Sequence, residues 1–230
     1  MKKQAFYLLL IALFSLSTTS CMDDDNDYNP NVNTLYDIVT FTLNSESGQQ
    51  FQYQVNDDSE IIILTSSQTK IDTTVCPVGS RLLLAYEPVS GVPQQSGNII
   101  VYGYSTIFND EISAGYIKDF PDWDNDGIYL YSLWRTGTYL NLHGLVPFSN
   151  SQTLALMVDS ATIENEYPEV YVIYDTEQGR ESYERALYAS FDIAPLWNKS
   201  TCKGFNVHIK NTNLEKYEYK FEKQPSFIEQ

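Results

Sequence analysis

The sequence predicts an all-β protein in which an N-terminal, OB-like five-stranded barrel is followed by an antiparallel, immunoglobulin-like β-sandwich. The first observation behind this prediction is periodicity, because apolar and polar residues alternate with a period of two from about residue 35 onward. The second is composition: 18 Tyr and 11 Phe bring the aromatic share to 14%, and aromatic side chains favour strands. No segment carries a convincing helical stripe.

Residues 35–109 contain the five strands that predict the barrel. The clearest alternation is in the second strand, where Phe51, Tyr53 and Val55 alternate with glutamines. The predicted strands are 39–43, 50–55, 60–64, 81–86 and 98–107. Turn-forming residues separate them, and five strands in about seventy residues match the size of a small closed barrel of OB type.

The strand pattern of residues 110–226 predicts that this segment forms the sandwich. The alternation breaks at 110–127 and then resumes in seven strands, at 128–134, 138–143, 153–159, 169–175, 187–193, 205–210 and 217–222. Seven short strands with turn signals between them are typical of an antiparallel sandwich of roughly a hundred residues. We expect residues 178–188 to form a hairpin connection.

The N-terminal segment has the pattern of a secretory signal peptide. Two lysines are followed by an apolar run at 7–16 and by small, uncharged residues at 17–20. This apolar run is too short to span a bilayer permanently. The pattern therefore predicts a signal peptide of residues 1–20.

Cys21 stands at the expected cleavage point. The segment that ends there resembles the lipobox of bacterial lipoproteins, in which the thiol is acylated and becomes the mature N-terminus. Thr18 stands where the common pattern has Leu. Lipidation of Cys21 is the expectation, and a plain signal peptide with an incidental cysteine is the alternative.

Residues 21–34 predict an acidic, flexible tether. Asp23, Asp24 and Asp25 follow the cysteine directly, and turn-forming residues continue the segment. This run resembles the short acidic tract that sends some Bacteroidetes lipoproteins to the outer face of the outer membrane, which implies surface exposure. A solvated, disordered leader is a second interpretation, and it is compatible with the first.

Net charge limits the classes of partner. The chain has 14 Lys+Arg against 30 Asp+Glu, a net charge of −16. Removing residues 1–20 takes away two lysines and no acid, which leaves 12 against 30, a net charge of −18. Such a charge disfavours nucleic acid and anionic lipid head groups. We therefore expect membrane attachment through the N-terminal lipid alone.

Four short segments carry a family resemblance. The sequence Gly-Thr-Tyr-Leu-Asn-Leu at 137–142 resembles a signature strand of the NigD-like lipoproteins of the Bacteroidetes, and Ala-Leu-Tyr-Ala-Ser-Phe-Asp-Ile at 186–193 resembles a later strand of that family. Residues 217–221 resemble its closing strand, and 78–82 resemble the glycine-basic turn of its first domain. The resemblance implies an OB-like domain followed by a β-sandwich. It also implies a bacteriocin-associated immunity or accessory role, and it brings no catalytic residues.

The leading functional interpretation is a non-enzymatic lipoprotein that binds a macromolecule. The alternative is a carbohydrate-binding accessory module, because Trp123, Trp134 and Trp197, together with the tyrosines, are able to form a stacking platform for sugars. Aromatic residues that alternate along strands are, however, also the usual filling of sheets. The ligand itself, protein or glycan, stays unknown at this stage.

One acidic loop is a candidate metal site. Asp122, Asp124 and Asp126 precede Gly127 with the spacing of the first half of an EF-hand calcium loop. The position that needs a bidentate Glu is occupied by Leu133. The loop therefore predicts at most weak calcium binding, and a solvated acidic turn is the alternative.

The two histidines do not indicate catalysis. His143 and His208 each lie on a predicted strand, and the motifs of serine hydrolases, zinc proteases and phosphate-binding loops are absent. We expect ordinary strand histidines and no enzyme activity.

Cys76 and Cys202 remain once Cys21 is lipidated. An oxidising compartment permits a bridge between them, but neither cysteine has a metal-like or redox-like spacing. Two free thiols are the preferred interpretation.

Overall fold

The first five strands of the computed structural model close into a barrel. The structure describes residues 34–46, 48–56, 59–68, 71–148, 152–176 and 183–223. The signal peptide, Cys21 and the tether up to residue 33 lie outside the described residues. The barrel strands are β1 (Leu35–Ser45), β2 (Gly48–Tyr53), β3 (Ile62–Ser66), β4 (Arg81–Pro88) and β5 (Gly97–Thr106), in the closed order β1-β2-β3-β5-β4. All five match predicted strands.

Nine further strands form the two layers of a sandwich. They are β6 (Phe108–Glu111), β7 (Ser113–Gly115), β8 (Tyr129–Thr136), β9 (Tyr139–Phe148), β10 (Gln152–Asp159), β11 (Glu169–Thr176), β12 (Tyr183–Asp192), β13 (Gly204–Ile209) and β14 (Glu218–Glu222). One sheet has the order β14-β13-β11-β10-β7, and the other has the order β6-β12-β9-β8. A short 3-10 turn (Ile117–Asp119) and the one-turn helix α1 (Ala194–Trp197) complete the described elements.

The structure differs from the expected sandwich in three respects. The pairs β7–β10, β11–β13 and β6–β12 are parallel, so neither sheet is purely antiparallel. Strands β6 and β7 lie partly in the segment where the alternation breaks. The hairpin expected at 178–188 is wrong, because residues 183–188 belong to β12, which lies in a different sheet from β11; residues 178–182 lie outside the described residues.

Alternation along the barrel strands separates core from surface. On β4, Leu82, Leu84 and Tyr86 are fully buried in the barrel core. The intervening residues face away from that core, because successive side chains of a strand point to opposite faces. On this outer side lies Arg81, which is nevertheless only 5% exposed. Another part of the molecule therefore covers the outer face of the barrel at Arg81.

The covering part is the four-stranded sheet of the sandwich. On β9, Leu140 and Leu142 belong to the sandwich core, which leaves Asn141 and His143 on the outer face. Asn141 is 1% exposed because it meets Arg81 of the barrel. The barrel therefore packs on the outer face of this sheet, and His143 lies farther along the same strand.

The turn between β8 and β9 also touches the barrel. Gly137 has a φ of +56°, and in this two-residue hairpin turn a glycine is favoured at such a position. A Cβ at Gly137 would meet Oε1 of Gln54, a barrel residue. Glycine is therefore the residue that the backbone of this turn favours, and the turn lies against Gln54 of the barrel.

Across the described ranges, no helix is long and apolar enough to cross a bilayer.

Candidate binding site between barrel and sandwich

A buried polar cluster around Arg81 joins the barrel to the sandwich. Arg81 Nε donates to Ser190 Oγ at 3.0 Å. The two terminal nitrogens of Arg81 donate to Thr40 Oγ1 at 2.9 Å and to Asn141 Oδ1 at 3.2 Å. The hydroxyl of Ser190 also donates to Asn141 Oδ1 at 2.8 Å. The guanidinium carbon lies 4.2 Å from the centroid of the Tyr139 ring. A single arginine therefore connects β4 and β1 of the barrel to β9 and β12 of the sandwich.

Arg81 stays charged in this cluster. Burial lowers its pKa to about 10, while Tyr139 and Asp192 act in the opposite direction. A buried charge is costly unless hydrogen bonds compensate for it, and the three partners here are uncharged amide and hydroxyl oxygens. The cluster consequently fixes the geometry between barrel and sandwich, which positions the surface beside it.

An aromatic row crosses the outer face of the four-stranded sheet next to this cluster. The row consists of Tyr129, Tyr131, His143 and Tyr188. Successive ring centroids are 5.3 Å, 4.9 Å and 4.1 Å apart, and the His143 and Tyr188 rings stack with an interplanar angle of 10°. Tyr129 is 43% exposed and Tyr131 is 54% exposed. The row thus presents two largely exposed phenols at one end and a half-buried stack at the other.

A bulge and an asparagine position the exposed end of the row. The register of β8 against β9 shifts between Leu130 and Ser132, so Tyr131 is the extra residue of a β-bulge. At this edge strand, Asn213 Oδ1 accepts from the Leu130 N–H and Asn213 Nδ2 donates to the Leu130 carbonyl, both at 2.9 Å. The Asn213 amide therefore pairs with the backbone that would otherwise be open at the sheet edge.

A pocket opens beside the half-buried end of the row, and we call it the junction pocket. Its volume is about 230 Å³, and it shares His143 and Tyr188 with the row. The sandwich contributes Trp134 to its wall, whereas the barrel contributes Tyr36 and Asp37 among others. The row and the pocket are therefore continuous parts of one surface.

Three barrel residues form a hydrogen-bonded chain at the pocket. The Tyr86 hydroxyl donates to Asp37 Oδ2 at 2.9 Å, and the hydroxyls of Tyr53 and Tyr86 are 3.2 Å apart. Burial raises the pKa of Asp37, and the Tyr86 hydrogen bond offsets part of that rise. Burial also raises the pKa of both tyrosines, so they are neutral at pH 7. Burial lowers the pKa of His143 below its ordinary value, which keeps this imidazole largely uncharged at pH 7.

The candidate calcium ligands do not converge. Asp122 and Asp124 are exposed, while Asp126 Oδ2 accepts from both the N–H and the hydroxyl of Thr176 at 2.7 Å. Within the described ranges, no group of three or more His, Cys, Asp or Glu side chains is arranged to hold a metal ion. The loop therefore has one carboxylate that holds the start of β8 to the end of β11, and two that face solvent.

The second histidine lies on the opposite sheet of the sandwich. His208 stacks on Tyr171 with centroids 4.6 Å apart, and its Nε2 lies 2.5 Å from Glu169 Oε2. Both histidines are strand residues stacked on a tyrosine of the neighbouring strand. His143 differs in that a pocket opens next to it.

The three tryptophans occupy separate regions and form no common platform. Trp123 packs edge-on against Tyr171. Trp134 lines the junction pocket, while Trp197 is buried with the Arg135 guanidinium 4.1 Å from its ring centroid.

Cys76 and Cys202 are both buried and free, which confirms the preferred interpretation. The Cys202 thiol donates to the Gly204 carbonyl at 3.3 Å. Each thiol therefore fills a packed interior position.

Sequence reasoning did not single out Asp37, Tyr53 or Tyr86. Asp37 has the same parity on β1 as the core residues Val39 and Phe41, so it is a charged residue at an inward-facing position. The spacing of two residues from Asp37 to Val39 is visible in the sequence and indicates that Asp37 shares the inward face of β1. The contacts of Asp37 with residues of β2 and β4 could not be predicted from the sequence.

Solved structures of other proteins share the fold of this chain. No family model matches the chain, and a search of curated proteins finds no match either. Among solved structures, a protein of unknown function, DUF1344, from Bacteroides vulgatus has a TM-score of 0.65 at 17% identity, covering 84% of this chain and 92% of its own. A candidate lipoprotein from Bacteroides fragilis has a TM-score of 0.56 at 10% identity, covering 82% and 96% respectively.

A NigD-like immunity protein from Bacteroides caccae also shares the fold, with a TM-score of 0.53 at 12% identity, covering 81% of this chain and 91% of its own. At these identities the likeness is one of fold. The chain thus has the barrel-and-sandwich fold of a group of Bacteroides proteins that includes a NigD-like member, as the sequence resemblance implied.

Proposed function

We propose that this chain is a surface-exposed outer-membrane lipoprotein, anchored through Cys21, that binds a partner protein and catalyses no reaction. The lipobox-like segment and the acidic run after it support the anchor and its location. One protein of the same fold is a candidate lipoprotein, and another is a NigD-like immunity protein. In this proposal, binding of the partner protein serves an immunity or accessory role in the cell.

The aromatic row is the observation that carries the binding proposal. Tyr129 and Tyr131 expose large amphipathic rings side by side at a bulged strand edge. Tyrosine is enriched in protein interfaces and among their energetic hot spots, because it buries much area while losing little conformational entropy. The polar Asn141 and Arg81 cluster holds this face in a fixed position relative to the barrel.

The orientation of the rings favours a protein over a sugar as partner. A sugar platform needs ring faces that are open and roughly coplanar. Here the His143 and Tyr188 rings cover each other's faces, and the Tyr129 and Tyr131 rings are inclined at 62°. Such a surface suits interdigitation with side chains of a second protein.

The charge of the chain favours a basic partner. The mature form carries a net charge of −18, from 12 basic and 30 acidic residues. Complementary charge accelerates encounter between two proteins and suppresses wrong partners.

Site-specific photo-crosslinking in intact cells tests this function. The full-length chain is expressed with benzoylphenylalanine in place of Tyr131, and the matched control carries it in place of Tyr102, a barrel tyrosine that is 51% exposed. We expect a discrete crosslinked protein from position 131 and none from position 102. Equal labelling at both positions, or crosslinking only to glycan, would contradict a protein partner at the row.

A further inference from the structure

The lining of the junction pocket includes Asp37, a carboxylate that has no cationic partner among the described residues. Asp37 accepts a hydrogen bond from Tyr86, and it forms no salt bridge with any described residue. Arg81 is engaged elsewhere, because it pairs in register with Thr40, three residues along β1 from Asp37, and its guanidinium donates to Ser190, Thr40 and Asn141. A half-buried negative charge in this position is unfavourable until a positive charge enters the pocket.

The rest of the pocket wall suits a cation. Its described lining residues include no Lys or Arg, and the one histidine, His143, is largely uncharged at pH 7. Aromatic rings supply several of the walls, from Tyr36, Trp134 and Tyr188 among others. Aromatic faces attract ammonium and guanidinium groups, with tryptophan the most effective.

The size of the pocket indicates a single side chain. Its volume of about 230 Å³ is below the roughly 300–1,000 Å³ typical of sites that enclose a whole small-molecule ligand. The pocket also shares His143 and Tyr188 with the aromatic row, so a protein seated on the row extends over the pocket mouth.

We propose that the junction pocket receives a lysine or arginine side chain of the partner protein, with Asp37 as its counter-ion and the aromatic walls as its cage. This assignment rests on the proposed function, because it takes the occupant from the protein that covers the aromatic row. The net negative charge of the chain is an independent feature that favours the same kind of partner.

Binding of small probes to the detergent-solubilised full-length chain tests the pocket. The probes are Nα-acetyl-lysine methylamide, its arginine counterpart and the neutral norleucine counterpart, titrated by ligand-observed NMR. Asp37→Asn removes the charge but keeps an acceptor for the Tyr86 hydroxyl. Asp124→Asn removes one charge at an exposed position and serves as the control for net charge.

We expect the two basic probes to bind the wild type and Asp124→Asn alike, and at least tenfold more weakly to a folded Asp37→Asn. The norleucine probe should show no comparable binding. Norleucine binding equal to that of lysine, or full retention of lysine binding in Asp37→Asn, would overturn the assignment. A melting curve for each variant establishes that it is folded.

Crosslinking separates this assignment from the proposed function. If Asp37→Asn lowers the yield of the crosslink at position 131, the pocket cation belongs to the partner. An unchanged yield, with the basic probes still requiring Asp37, would mean that the pocket takes a free amine and would overturn the choice of occupant. A crosslink at position 131 in the absence of any probe binding would leave the proposed function standing and remove the pocket assignment alone.

Discussion

The imidazole of His143 lies face to face with the phenol ring of Tyr188, at a centroid distance of 4.1 Å and an interplanar angle of 10°. The two residues are direct cross-strand partners on β9 and β12. Both belong to the aromatic row, and both line the junction pocket. The stacked pair therefore joins two features into one continuous surface. One is the aromatic row on the sandwich, and the other is the junction pocket, to whose wall the barrel also contributes.

Replacing Arg81 should weaken the junction strongly. Arg81→Ala removes three hydrogen bonds from a charged donor and leaves a buried space, so we expect a loss of about 3 kcal/mol in the free energy of unfolding. Urea denaturation of the purified protein measures it. Lys216→Ala, at an exposed position, should change that free energy by no more than about 0.5 kcal/mol. Comparable effects of the two substitutions would show that the Arg81 cluster contributes little.

Asp37 should make stability depend on pH in a defined direction. Burial raises its pKa in the folded state above the ordinary 3.8, so its contribution to stability is complete below the unfolded-state pKa and is lost as the pH rises through the folded-state pKa. Tyr53 and Tyr86, which interact with Asp37, are uncharged at pH 7, and so, largely, is His143, which lines the same pocket. The carboxylate is therefore a cost to the empty protein at neutral pH.

Asp37→Asn removes that cost, so the Tm of the variant should exceed the Tm of the wild type at pH 7. The difference should shrink as the pH falls to about 3. Thermal melts of both proteins across this pH range provide the measurement. A difference that stays constant with pH, or that grows toward acid, would be inconsistent with a raised pKa for Asp37. The same substitution should weaken binding of the basic probes at least tenfold, so stability and binding are expected to change in opposite directions.

Calcium should have little specific effect on stability. The carboxylates of Asp122 and Asp124 face solvent, and Asp126 is engaged with Thr176, so the loop lacks a preformed set of oxygen ligands. We expect the same Tm in chelator and in millimolar calcium, with magnesium as the control. A rise that is specific to calcium and abolished by Asp124→Ala would establish the metal site that the spacing of the loop first suggested.

Partition of the protein between a detergent phase and an aqueous phase tests lipidation at Cys21. Cys21→Ser removes the only thiol that the lipobox-like segment offers for acylation. We expect the variant to leave the detergent phase or to remain uncleaved, while the wild type partitions with detergent. Partition of Cys21→Ser equal to the wild type would mean that another segment holds the protein at the membrane.

Most of the fold was predictable because strand alternation is a local property. The five barrel strands and seven of the sandwich strands coincide with runs of period two. Strands β6 and β7 were not recognised, because Phe108–Glu111 is exposed throughout and Ser113–Gly115 has only three residues. Both pair in parallel with distant strands, and such pairing leaves no signature in a short sequence window.

The candidate site was less predictable because its parts come together through non-local contacts. Tyr188 meets His143 only through the register of β12 on β9. Trp134 and Asp37 line the same pocket only because the barrel packs on the sandwich. His143 and Trp134 were recognisable in the sequence as individual residues, but without that context. The inward parity of Asp37 was the one local signal for the pocket.

Truncation of the aromatic row tests whether this row binds the partner protein. With the partner identified by crosslinking, its affinity is measured for the wild-type full-length protein, for Tyr129→Ala/Tyr131→Ala and for the matched control Tyr102→Ala. Interface hot spots contribute about 2 kcal/mol or more, which corresponds to roughly thirtyfold in affinity. We expect at least a tenfold loss of affinity for the double variant and no change for Tyr102→Ala. Equal affinities for all three proteins would contradict it.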